Sequence, residues 1–137
     1  MINRLTHVTI WVLDQAEALA FYRDKLGFTV TNDQTLDSGF RWLTVSPPGQ
    51  RDIELVLMVP GPPAMSPEAA EQVKALIAQG ALSSGVFGTD DCRGTHAELA
   101  RRGVEFLQEP AEQFYGVEAM FRDDSGNTFS LTQRVAS

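Results

Sequence analysis

A chain of 137 residues, 43% hydrophobic and with a formal net charge of −7, can bury a respectable core and is too acidic to suit phosphate backbones or anionic lipid. Its one cysteine, Cys92, excludes an internal disulfide, and no apolar run approaches the roughly 18 residues needed to span a bilayer. Residues Met1–Leu5 carry no signal-peptide pattern, so the expectation is a soluble cytoplasmic protein with neither nucleic acid nor membrane as partner.

The first predicted element is a strand over 5–13. Its alternation sets Val8, Ile10 and Val12 on one face and His7, Thr9 and Trp11 on the other. Asp14 followed by Glu17 has the form of a capping box, and the helix it opens shows Ala16, Leu19, Ala20, Tyr22 and Leu26 at helical spacing before Gly27 ends it. Strands near 28–35, 40–46 and 52–59 follow, punctuated by Asp37-Ser38-Gly39 and Pro47-Pro48-Gly49. Residues 1–59 thus form a β-α-β-β-β module.

A linker over 60–82 comes next. Its proline-rich start, Pro60 to Met65, cannot join a sheet interior, and Ser66 then caps a helix with Pro67 at its first position that runs to about Gln79. Such a segment connects the modules, and it is also a natural roof for a neighbouring cleft. The second module, 83–137, repeats the first: a strand over 83–89, the cap Asp91, a helix near 92–102, Gly103, and strands near 104–108, 115–122 and 127–133. Matching residues lie roughly 76 positions apart, as an internal duplication requires, and this register aligns His7 with Ser84 and Glu54 with Ser130. The expected fold is α+β: one domain of two tandem β-α-β-β-β modules forming a curved mixed sheet around a cup, with a helical linker between them.

Alternation indicates what lines the cup. Ile53, Leu55 and Leu57 belong under the helix, which turns Glu54, Val56 and Met58 to the same side as His7, Thr9 and Trp11. An imidazole and a carboxylate on one concave face suit a Zn, Fe, Mn, Ni or Co ion, and they also suit a structural polar pair. A glutamate in an apolar strand needs a cation, a metal or a proton to sit there cheaply. Glu118, alternating with Val117, Ala119 and Phe121, is a further candidate: it could complete a His-Glu-Glu set or, like Glu54, shuttle a proton. His96 aligns with Leu19 and reads as a core residue. Trp11, Trp42, Met58 and Tyr115 supply aromatic and polarizable walls for a small organic molecule with flat or apolar parts.

Leu5-Thr6-His7-Val8, the stretch Phe21-Tyr22-Arg23-Asp24-Lys25-Leu26-Gly27-Phe28 and the run Phe121 to Leu131 with its Asp-x-x-Gly-Asn turn resemble the vicinal oxygen chelate superfamily. That superfamily includes glyoxalase I, extradiol dioxygenases and bleomycin-resistance proteins. The resemblance implies four metal-ligand positions, matched here by His7, Glu54, Ser84 and Ser130. Serine hydroxyls are weak neutral ligands, so the implied metal site is degenerate, with Ser84 and Ser130 left as ligand-binding residues. It also implies a two-fold homodimer. Two functions follow: a lyase, isomerase or dioxygenase assisted by a divalent metal at His7 and Glu54, and a metal-free protein that sequesters a drug or metabolite.

Overall fold

A computed structural model describes residues 1–135; the expected end of the second module at 137 lies outside the described residues. The chain divides into two compact units, Met1–Lys74 and Ala75–Ser137. In the first, β1 (His7–Trp11), α1 (Gln15–Ala20), a wide π-helical turn (Phe21–Lys25), β2 (Thr29–Thr35), β3 (Arg41–Ser46) and β4 (Glu54–Met58) follow in order. The second holds β5 (Ser83–Gly88), α3 (Cys92–Arg101), β6 (Glu105–Gln113), β7 (Gly116–Arg122) and β8 (Thr128–Arg134). Helix α2 (Pro67–Ala78) straddles the boundary between the units.

Each unit is a four-stranded mixed sheet of the same order, β1-β4-β3-β2 and β5-β8-β7-β6, with one parallel pair at an edge and antiparallel pairs elsewhere. The duplicated β-α-β-β-β plan is therefore present, with its strands divided between two sheets. Both module helices start alike. The Asp14 carboxylate accepts from the Glu17 amide at 2.8 Å, and that of Asp91 accepts from the Gly94 amide at 3.0 Å, each satisfying a donor that the first helical turn leaves open. Ser66 does the same for α2 through the Ala69 amide. None of the described helices is long and apolar enough to cross a membrane.

Alternation in β1 puts Ile10 and Val12 in the core, at 3% and 0% exposure, with Leu55 and Leu57 of β4 beside them. Helix α1 departs from the expected face. Ala16 and Ala20 are exposed, whereas Ala18, Phe21 and Tyr22 are buried. The widened turn over 21–25 bears on the two rings, because a π turn rotates the chain less per residue and lets consecutive side chains both face inward. Tyr22 then sits edge-on to Phe21 and tilted against Phe28, with centroids 5.3 and 5.8 Å away. Gly27, at φ 76°, allows the chain to leave the helix for β2.

The backbone ladders correct the repeat register. In the first unit the Glu54 amide donates to the Thr6 carbonyl and His7 stands opposite Glu54. In the second the equivalent bond runs from the Thr128 amide to the Leu82 carbonyl, and Ser83 stands opposite Thr128. Glu54 therefore corresponds to Thr128 rather than to Ser130, whereas His7 keeps Ser84 as its counterpart, since the bond from the Val12 amide to the Met58 carbonyl matches that from the Thr89 amide to the Thr132 carbonyl. A bulge in β5 between Ser83 and Gly85 and unequal loops break the constant offset that the sequence suggests.

Candidate ligand-binding cleft

Cross-strand pairing sets one face of the first sheet. His7 lies opposite Glu54, Thr9 opposite Val56 and Trp11 opposite Met58, while Thr44 of β3 also faces Val56. Directly opposed residues share a face, so these side chains and Trp42, two positions before Thr44, project together away from α1. Above them opens a cleft of about 480 Å³, within the range of small-molecule pockets. Its walls include His7, Thr9, Trp11, Trp42, Val56 and Met58.

Sequence reasoning missed part of the lining. Gln15, Phe40 and Arg41 contribute, as does the segment Gly61-Pro62-Pro63-Ala64. The linker thus reaches the cleft through its proline-rich start, and no residue of α2 is among the walls. The loop and linker residues carried no periodic signal; Gln15 could have been found as the first helical residue after the Asp14 cap, directly above the strand ends.

His7 is held from both sides. Its Nε2 lies 3.1 Å from Glu54 Oε2 and its Nδ1 lies 2.9 Å from the Thr6 hydroxyl. The Thr44 hydroxyl donates to Glu54 Oε1 at 3.0 Å and sits 2.6 Å from the Thr31 hydroxyl. The hydroxyls of Thr31 and Thr44, and then the His7 ring, hold the Glu54 carboxyl below the usual glutamate range. Glu54 is absent from the cleft walls, so it acts on the cleft by fixing His7, whose ring meets that of Trp42 at 5.9 Å and 51°. At the rim, Arg41 makes two 2.8 Å bonds to Asp33, so its charge is already answered.

The other candidates lie in the second unit and are not among these walls. The Ser84 hydroxyl donates to Asn127 Oδ1 at 2.9 Å, which ties it into the turn before β8. Ser130 faces Val86. The Tyr115 hydroxyl donates to Glu118 at 2.7 Å, a bond that raises the tyrosine pKa. His96 packs edge-on against Phe106 at 4.4 Å. Among the described residues, no three His, Cys, Asp or Glu side chains gather in a group that could hold a metal ion. The donor set likewise does not fit a resident ion. His7 and Glu54 bond directly to each other, and Thr44 occupies the second carboxylate oxygen.

A doubled β-α-β-β-β chain arranged as two four-stranded mixed sheets of the same strand order defines a glyoxalase-like fold. Residues 4–131 match the model of the Glyoxalase/Bleomycin resistance protein/Dioxygenase superfamily, and the chain belongs to that superfamily. It is 35% identical to the uncharacterized protein YetH of Bacillus subtilis (strain 168), covering 97% of this chain and all of the relative. The crystal structure of UcmS2 superposes with a TM-score of 0.91 at 48% identity, over 97% of this chain and 99% of that one. TnmS3, described as an antibiotic binding protein from Streptomyces sp. CB03234, superposes with a TM-score of 0.77 at 34% identity, over 98% of each chain.

Proposed function

We propose that this chain is a binding protein that sequesters a flat, largely apolar organic molecule in the first-unit cleft, without metal chemistry. The observation that carries this reading is the cleft itself: two indoles, Met58 and a pinned imidazole provide stacking area with few charges left unanswered. The description of TnmS3 as antibiotic-binding supports it, and so does the closed His7–Glu54 contact, which leaves a metal without the three ligands that catalytic sites normally use. Calorimetric titration with 2-naphthol tests it. Binding to chelator-treated protein that weakens about tenfold or more in Trp42→Ala, the loss of one stacked aromatic wall, supports the reading. Affinity that depends on added zinc, manganese, iron, nickel or cobalt replaces it with the metal-assisted enzyme.

The homodimer belongs to the same proposal. Val86 is 67% exposed on β5, an edge strand whose outer side has no partner strand in its sheet, as a self-complementary contact would use. Sedimentation at micromolar concentration giving a monomer removes the dimer and leaves the cleft reading intact.

A further inference from the structure

Gln15 is the first residue of α1 and half-buried in the cleft wall. Its side-chain amide is locked. Nε2 donates to the Leu57 carbonyl at 2.8 Å and to the Arg41 carbonyl at 3.1 Å, one from β4 and one from β3. Both partners are carbonyl oxygens, so the amide orientation is fixed by chemistry: the flipped form would set Oε1 against two acceptors. Both N–H bonds are thereby spent. Oε1 makes no hydrogen bond among the described residues, and it is not a buried atom lacking a partner, so it keeps access to solvent.

We infer that Gln15 is the specificity-determining residue of the cleft, presenting Oε1 as a fixed acceptor that selects flat ligands carrying a hydroxyl or N–H donor on their edge. The inference rests on the binding function proposed above and adds the ligand's chemistry to it. The charged and imidazole groups near the cleft are less available for this role. The Arg41 guanidinium is turned to Asp33, and the two His7 nitrogens face Glu54 and Thr6. An acceptor whose amide is already anchored loses little further freedom when a ligand donates to it, which is the condition for selective recognition. A ligand without the donor would cover Oε1 and strand it from water, so discrimination arises from the wrong ligand as well as the right one.

The test compares 2-naphthol, which donates from its hydroxyl, with 2-methoxynaphthalene, which cannot. Calorimetric titration of the full chain should give a preference for 2-naphthol of about fivefold, the size of one net hydrogen bond. Gln15→Met should erase most of that preference while retaining affinity for the methoxy probe, and the ratio of ratios cancels the probes' difference in size. Because the substitution also removes a link between β3 and β4, a wild-type measurement runs beside it. The side-chain carbonyl carbon resonance of Gln15 should move on adding 2-naphthol and stay in place with 2-methoxynaphthalene. A preference that survives Gln15→Met, or a carbonyl resonance indifferent to 2-naphthol, overturns the inference while both probes still bind and the binding function stands. Failure of both probes to bind wild-type protein removes the binding function and this inference together.

Discussion

A carboxylate on an apolar strand is costly unless its oxygens are satisfied, and Glu54 meets that demand with Thr44 on one oxygen and His7 on the other. Sequence alone identified the pair by alternation and by the oddity of a glutamate among apolar neighbours. It left a metal pair and a structural polar pair open alike, and it did not reveal the hydroxyls of Thr31 and Thr44, because these come from strands whose pairing is a tertiary fact. Folding lowers the Glu54 pKa. The resulting stability is therefore present above the ordinary glutamate range and is lost as pH falls through the folded value. Glu54→Gln should lower the urea midpoint most at pH 7, and the gap to wild type should narrow as pH is taken down through the carboxylate range. A gap that stays constant with pH would show that the carboxylate's charge contributes nothing.

At the scale of elements, the caps and the superfamily's two sequence signatures turn out to be architectural. In the turn before β8, Asp123 Oδ1 accepts from the amides of Ser125, Gly126 and Asn127, each at 2.9 Å, while Oδ2 accepts from the Asn127 side chain. Gly126, at φ 119°, is required twice over, since a Cβ there would also collide with the Ile77 carbonyl. Gly126→Ala should cost at least about 2 kcal/mol by denaturant unfolding. The other signature, Phe21 to Phe28, builds the aromatic packing around Tyr22, which is fully buried. Tyr22→Ala should cost about 3–5 kcal/mol by the same measurement. Helix starts and glycine stops were legible because each has a local cause in backbone hydrogen bonding, whereas β6 runs to Gln113, well past the expected end near 108. The π turn was not: Phe21-Tyr22-Arg23-Asp24-Lys25 has ordinary helical composition, and its extra width reflects the room that two rings need beneath the helix.

Across the whole molecule, duplication was readable while its register was so only in part. Repeated caps and glycines announce two copies and align His7 with Ser84, yet Thr128, the counterpart of Glu54, is hidden by loops of unequal length. The chemical asymmetry persists under the corrected alignment. The second copy offers a serine and a threonine, whose hydroxyl donates to the Leu82 carbonyl, where the first offers imidazole and carboxylate. An occupant of the first-unit cleft that ignores the unfolded chain should stabilise the fold by about 2.7 kcal/mol at a hundredfold excess over Kd, and calorimetry should show the melting temperature rising with 2-naphthol concentration. The chain's two tryptophans, Trp11 and Trp42, both stand in the walls of that cleft. The ultraviolet emission of this protein is consequently a signal from a single place, and a bound guest that dries or quenches the indoles should announce itself in the spectrum of the unlabelled chain.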